Sequence, residues 1–151
     1  MPTLNIPANS FRDADDAQSP LIIDRFGPAW FFYGAEGEVV AVGAVPMPSD
    51  WDGSPVTVKL MGACDQGAAT VVVECGVASE YVGSNIYGTP VSVAVGSENG
   101  TVFGVVGASA VTPQGTTGVD QFLAIRLTRT NAESSTCGFA LHTLIVEYAA
   151  I

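Results

Sequence analysis

The stretch VPMPSDWDGSPVTVKLMG, from Val45 to Gly62, decides the class of fold. An apolar run ends in two spaced prolines and an acidic turn, and a run of alternating valines follows at once. Proline, aspartate and glycine suit turns, and alternating valines suit a pleated strand. The pattern predicts two β-strands joined by a turn in which Asp50 and Asp52 bond to nearby backbone N–H groups before Gly53. We expect Trp51 to plug one end of the fold, and the alternative is an exposed ring that contacts a ligand.

Strand-like runs rich in Val, Ile, Thr, Phe and Tyr fill most of the remaining chain, and turn signals separate them. About eight strands without helical periodicity predict an all-β fold, an antiparallel β-sandwich of jelly-roll type. An immunoglobulin-like sandwich is the nearest alternative, but the Cys…Trp…Cys pattern of antibody domains is missing. The stretch ASEYVGSNIYGTP at 78–90 favours a crossing loop over a helical turn. The predicted strands are AWFFY at 29–33, EVVAVGAV at 38–45, PVTVKLMG at 55–62, ATVVVECGV at 69–77, PVSVAV at 90–95, TVFGVVGAS at 101–109, DQFLAIRLTRT at 120–130 and GFALHTLIVEYA at 138–149.

Composition and charge exclude several classes of protein. Hydrophobic residues make up 48% of the 151 residues and charged residues 13%, which predicts a folded domain rather than a disordered chain. The formal net charge is −10, so nucleic acid and an anionic membrane surface are disfavoured as partners. We expect no secretory signal, because no basic region precedes an apolar core at the N-terminus. The apolar runs are also shorter than the ~20 residues that a membrane-spanning helix needs.

Residues 1–20 differ from the rest of the chain and predict an extended N-terminal arm before a jelly-roll domain at 21–151. The segment is polar, contains three prolines and ends in a cluster of aspartates. Leu4, Ile6 and Phe11 are spaced as anchors would be if the arm lay along another surface. A flexible tail is the alternative.

Several predicted strands are apolar on both faces. In DQFLAIRLTRT, alternation places Leu123, Ile125 and Leu127 on one face and Phe122, Ala124, Arg126 and Thr128 on the other. In GFALHTLIVEYA, it places Phe139, Leu141 and Ile145 opposite Leu144, Val146 and Tyr148. A strand that faces water should carry polar residues on its second face. We therefore expect a neighbouring copy of the chain to cover that face, with closed symmetry.

Residue types that carry chemistry are sparse. His142 is the one histidine, too few for a metal jelly roll, and no nucleophile motif accompanies it, so a structural role is expected. Cys64, Cys75 and Cys137 are odd in number and predict buried free thiols in a reducing compartment. The carboxylates of the DWDG turn do not match the calcium loop of EF-hands. We expect no enzyme activity, no metal and no cofactor.

Two segments together resemble small structural proteins of tailed phages. PMPSDWDGSPVTVKL at 46–60 is similar to their strand, acidic aromatic turn and valine-rich strand. FLAIRLTRTNAESSTCGFALHTLIVEY at 122–148 is similar to their closing pair of strands, with Arg126 and Arg129 in the basic positions and Tyr148 closing the last strand.

The resemblance implies a jelly-roll virion component, a head decoration (cement) protein that binds the outside of the phage capsid as a homotrimer. Such a protein would be made in the host cytoplasm, contact the major capsid protein, and stabilise the shell by binding its assembled form. The shell contacts would fall on Leu4, Ile6, Phe11 and Arg12 of the arm. The trimer interface would use Phe31, Tyr33, Phe122, Leu144 and Tyr148.

Two alternatives from other classes of protein stay open. A tail or head fibre, or another receptor-binding jelly roll, would bind glycans through exposed loop aromatics, with Trp51, Tyr81 and Tyr87 as candidates. A small hydrolase would use Asp50, Asp52 and His142.

Overall fold

The computed structural model describes residues 1–13, 21–24, 27–32, 39–64, 68–78, 86–96, 104–115, 118, 121–129 and 138–151. Within these ranges the chain forms eleven β-strands and one 3₁₀ turn at Ala8–Ser10. Each of the eight predicted strands is present in the described ranges. The strands are β1 (Thr3–Pro7), β2 (Arg12–Asp13), β3 (Leu21–Asp24), β4 (Gly27–Phe32), β5 (Val39–Met47), β6 (Val56–Cys64), β7 (Ala68–Ala78), β8 (Val91–Gly96), β9 (Gly104–Val111), β10 (Gln121–Arg129) and β11 (Phe139–Glu147).

The strands of the described ranges lie in two antiparallel sheets that form a sandwich. Sheet A has the order β3-β4-β11-β6-β9, and β1 also pairs with β11. Sheet B has the order β2-β5-β10-β7-β8. Most consecutive strands after β4 alternate between the sheets, which brings distant parts of the chain side by side. The predicted jelly-roll β-sandwich is confirmed.

The core lies between the sheets and is built by strict alternation along most strands. In β10, Leu123, Ile125 and Leu127 have no exposed surface, whereas Phe122 and Arg126 point outward. Burying an aliphatic side chain of this size contributes about 1.5–3 kcal/mol to the free energy of unfolding. The two faces predicted for this strand are therefore confirmed, and its outward face belongs to the outer surface of sheet B.

The face assignment predicted for β11 is wrong, because this strand contains a β-bulge. The register with β6 shifts between Leu141 and Thr143, so β11 carries one extra residue at His142. A bulge changes which side chains face the core. Phe139 and Leu141 point inward before it, and Leu144 and Val146 point inward after it. Members of the two apolar sets that alternation alone placed on opposite faces thus share the core, whereas Ile145 points outward.

The first thirteen residues form two strands and the 3₁₀ turn between them, and they belong to the sandwich. β1 pairs with β11 of sheet A from Thr3 to Pro7, and β2 pairs with β5 of sheet B. Ile6 in β1 and Phe11 just before β2 are 1% and 4% exposed and join the hydrophobic core. The segment therefore bridges the two sheets at one edge.

The turn between β5 and β6 closes one end of the sandwich. Trp51 is 2% exposed, and its Nε1 donates a hydrogen bond to the carbonyl of Ser54 at 3.0 Å. The Asp52 carboxylate accepts a bond from the backbone N–H of Ser54 at 2.8 Å, and Gly53 takes a φ of 86° that favours glycine. The last residues of the chain lie against this turn, because Asp52 N donates to Ala149 O at 3.0 Å.

Candidate functional site: a groove on sheet B

The outer face of sheet B carries a row of very small side chains. Ala44 of β5, Ala124 of β10 and Gly76 of β7 lie directly opposite one another in the antiparallel register. Larger side chains stand on the next row, where Val42, Arg126 and Glu74 are in register. A row of small side chains beside a taller one leaves a depression in the sheet surface, and Ala44 and Ala124 form the floor of a groove there.

A segment that precedes β8 forms one wall of the groove. Residues 86–88 cross β7 above Gly76, where an added Cβ would overlap the carbonyl oxygen of Ile86. The N–H of Gly88 donates to the carbonyl of Cys75 at 2.8 Å and fixes the crossing. Only glycine permits so close an approach of one backbone to another. Residues 86–88 of the predicted crossing loop therefore do cross the sheet, and their backbone packs directly against β7. We call these residues the crossing segment.

The Tyr87 ring in this wall stacks on an arginine, Arg126, that is itself paired with Glu74. Arg126 Nε donates to Glu74 Oε1 at 3.2 Å, and Arg126 Nη2 donates to Glu74 Oε2 at 2.5 Å. The guanidinium carbon lies 4.5 Å from the centre of the Tyr87 ring. A planar guanidinium can bond a carboxylate with two N–H groups and stack on an aromatic ring at the same time. The three side chains thus form one rigid unit beside the floor.

The ionisation of this unit follows from its contacts. The hydrogen bonds to Glu74 raise the pKa of Arg126, and burial of the phenol raises the pKa of Tyr87. Beneath the crossing segment, burial raises the pKa of Cys75 to about 12. Arg126 is therefore cationic and Tyr87 neutral over the whole physiological range, and the Cys75 thiol stays protonated. The thiol of Cys75 is free and buried, as predicted for this residue.

The groove, which we call the sheet B groove, has a volume of about 510 Å³. Ser10 borders it on the side of β2, opposite the Tyr87 wall, and Phe122 stands on the outward face of β10 two residues before Ala124. Phe122 is 52% exposed. The lining residues are Ser10, Val42, Gly43, Ala44, Ile86, Tyr87 and Ala124. A site of this size, apolar with a few fixed polar groups, is typical of small-ligand binding.

Of the aromatic residues predicted to contact glycans, the structure brings one to the groove. Tyr87 lines it, whereas Trp51 is buried in the core at the end of the sandwich and offers no ring face to a ligand. Tyr81 lies outside the described residues. Sequence analysis missed Glu74, because its partner Arg126 is 52 positions away in the chain. The available signal was a carboxylate within the apolar run ATVVVECGV, followed two residues later by glycine.

The residues predicted to contact a capsid are partly buried within this chain. Leu4 packs against the core, and Ile6 and Phe11 are inside it, so a shell contact through them requires β1 to leave β11. Arg12 lies in β2, which pairs with β5 at the edge of sheet B.

The residues predicted for a trimer interface lie in different places. Leu144 has no exposed surface and Tyr148 is 6% exposed, with its hydroxyl donating to Asp50 Oδ1 at 3.2 Å. Both side chains are buried within a single chain, because the bulge turns them toward the core. Phe122 is exposed, Phe31 lies in β4, and Tyr33 lies outside the described residues.

The other chemistry-bearing residues do not converge. His142 is 7% exposed at the bulge of β11, at the opposite sheet from the groove. Among the described residues, no group of three or more His, Cys, Asp or Glu side chains could hold a metal ion. In the same part of the chain, no helix has the length and apolar character to cross a bilayer.

No family model matches the chain, and no curated protein sequence matches it. Solved structures match its fold. The CBM36-1 domain of a multidomain xylanase from the hindgut metagenome of Trinervitermes trinervoides gives a TM-score of 0.51 at 11% identity, over 99% of this chain and 100% of that domain. A carbohydrate-binding module CBM36 in complex with calcium and xylotriose gives 0.51 at 13% identity, over 97% and 99%. A cleaved adhesin domain of Lys-gingipain from Porphyromonas gingivalis gives 0.50 at 13%, over 99% and 100%.

These likenesses define the fold class of the chain. It is a jelly-roll β-sandwich of the kind found in carbohydrate-binding modules and in an adhesin domain.

Proposed function

We propose that the chain is a carbohydrate-binding jelly-roll module that holds an oligosaccharide in the sheet B groove. The observation that carries the proposal is the Tyr87 ring, fixed by the Arg126–Glu74 pair beside a floor of small side chains. A sugar ring presents apolar C–H faces and a rim of hydroxyl groups. A rigid aromatic wall and positioned N–H donors complement these two features.

The likeness to carbohydrate-binding modules supports this proposal at the level of the fold. Function depends on the site rather than on the fold, and the site here is the groove. Binding without turnover fits the groove, because the lining residues that the structure describes include no carboxylate, histidine or cysteine.

A glycan array followed by calorimetric titration tests the proposal. Tyr87→Ala should abolish binding of the best glycan, and Tyr87→Phe should keep most of it, because the ring and its stacking are retained. Val105→Ala is the matched control, since Val105 is an exposed apolar side chain (50%) on β9 of sheet A. Absence of any bound glycan, or equal affinity of wild type and Tyr87→Ala, would refute the proposal.

Attachment to a phage capsid is a second candidate, which the sequence resemblance favours. The exposed Phe122 on sheet B supports it, because this side chain is among those predicted for the trimer interface. Light scattering should then give the mass of three chains, and Phe122→Asp should give that of one. Co-sedimentation with assembled phage heads measures the capsid contact directly, and a monomer that leaves the heads undecorated would argue against it.

A further inference from the structure

We infer that the sheet B groove selects uncharged oligosaccharides over anionic ones, and that Glu74 determines this specificity by neutralising Arg126. The inference rests on the proposed function, since it concerns the class of glycan that the same groove accepts. In this role Glu74 does not contact the ligand. It neutralises Arg126 and thereby sets the local charge beside the ligand.

The geometry of the ion pair supports this role. Both carboxylate oxygens of Glu74 accept bonds from Arg126, and the Glu74 side chain is only 11% exposed. The Arg126 side chain is 35% exposed, and Tyr87 covers one face of its guanidinium. The N–H groups of Nη1 are not used by Glu74 and can donate to hydroxyl groups of a sugar. Arg126 does not line the groove itself but borders it, because it stacks on Tyr87 and is in register with Val42, two residues that do line it. At this border it offers hydrogen bonds, while the pair as a whole carries no net charge.

The charge of the whole chain acts in the same direction. With a formal net charge of −10, the field around the protein repels uronate, sialate and sulfate groups. Among the residues that the structure describes, those that line the groove itself include no lysine or arginine. Arg12 of β2 pairs with Val42 at the edge of the sheet, so the experiment below includes this residue. The groove then disfavours an anionic ligand, because no unpaired cation among the described residues lies where the ligand's carboxylate would bind.

Substituting Glu74 tests the inference. Glu74→Gln keeps the shape of the side chain and removes its charge, which leaves Arg126 as an unpaired cation. The ratio of affinities for a uronic-acid oligosaccharide and its uncharged counterpart should rise about tenfold or more, because the unpaired guanidinium can then donate charge-assisted hydrogen bonds to the carboxylate of the ligand. The gain should shrink at high salt, since screening weakens interactions between exposed charges.

Glu147→Gln is the matched control. Glu147 accepts a 2.5 Å bond from Lys59 in a partly exposed ion pair on the outer face of sheet A. The substitution changes the net charge by the same amount and breaks the same kind of pair, but on the other sheet. It should leave the ratio of affinities unchanged. The double variant Glu74→Gln/Arg126→Gln should return the ratio to that of the wild type, because it removes both charges together.

The results separate the two proposals. If no glycan of either kind binds to the wild type, the proposed function fails. If uncharged glycans bind and Glu74→Gln leaves the ratio as it was, only the inference about Glu74 fails. If the wild type prefers the anionic glycan and loses this preference in Arg12→Gln, the groove carries an unpaired cation and the inference is overturned. Circular dichroism of each variant confirms that the comparison concerns folded protein.

Discussion

The carbonyl oxygen of Ile86 lies directly above Gly76, in the space that any other side chain at position 76 would occupy. This contact sets the height of the crossing segment over sheet B. It also sets the position of Tyr87, the next residue in the chain. The wall of the groove therefore depends on a glycine in the strand beneath it.

Gly76→Ala should lift the crossing segment off β7 and lengthen the bond from Gly88 N to Cys75 O. We expect a loss of about 1–3 kcal/mol in the free energy of unfolding, as for other overpacked sites, together with loss of glycan binding. Urea denaturation and titration calorimetry measure the two effects. Gly104→Ala is the control, because nothing lies within 4 Å of the added Cβ. A Gly76→Ala protein with unchanged stability would contradict the close approach of the two backbones.

Ile6→Ala should reduce the free energy of unfolding by about 2–5 kcal/mol, because the side chain is buried between β1 and the core. Asn5→Ala, at the exposed neighbouring position, should change it by less than about 0.5 kcal/mol. Both values come from chemical denaturation. Equal and small effects of the two substitutions would mean that β1 is not docked in solution.

Deleting His142 should leave a folded protein. The deletion removes the extra residue of the bulge, and ordinary alternation then keeps Leu144, Val146 and Tyr148 on the inward face. Deleting Ile145 instead moves Val146 and Tyr148 to the solvent side, so this variant should not fold. Circular dichroism and thermal denaturation distinguish the two, and a reversed order of stability would contradict the placement of the bulge.

Asp52 should stabilise the turn in a pH-dependent way. The bonds from Ser54 favour the charged carboxylate and hold the pKa of Asp52 below its ordinary value of 3.8. A lowered pKa in the folded state gives stability that is present above the unfolded pKa and is lost as the pH falls through the folded one. The stability advantage of the wild type over Asp52→Asn should therefore shrink below about pH 4. Carboxyl-carbon NMR of Asp52 checks this directly, and a titration midpoint at or above 3.8 would disprove it.

Sequence patterns predicted the fold because strand formation depends on local features. Alternation identified the inward face of β10, and the turn residues around Trp51 marked the passage between the sheets. The pattern failed at β11, because a bulge has no local signature there: His142 is one of three polar residues in the strand, with Thr143 and Glu147, and nothing in the sequence marks it as the extra residue. The same limit applies to β1, whose burial depends on a partner strand at the other end of the chain.

The groove was less predictable than the fold. Tyr87 was a candidate because it is aromatic and lies in a loop, and Arg126 was noted in its strand. Arg126 and Tyr87 come together with Glu74 only because β7 pairs with β10. The order of strands in a sheet is a property of the whole chain. The small row of Ala44, Ala124 and Gly76 likewise emerges only when three distant strands are set in register.

The central place of β11 in sheet A has a consequence for biosynthesis. This strand pairs with β1 and β4 along one edge and with β6 along the other, so it joins segments that leave the ribosome much earlier. Before β11 emerges, sheet B can form from β5, β7, β8 and β10. Sheet A cannot form completely until then. Until then the nascent chain exposes the apolar side chains of β6, which makes this interval the period of greatest risk of aggregation and of greatest need for chaperones.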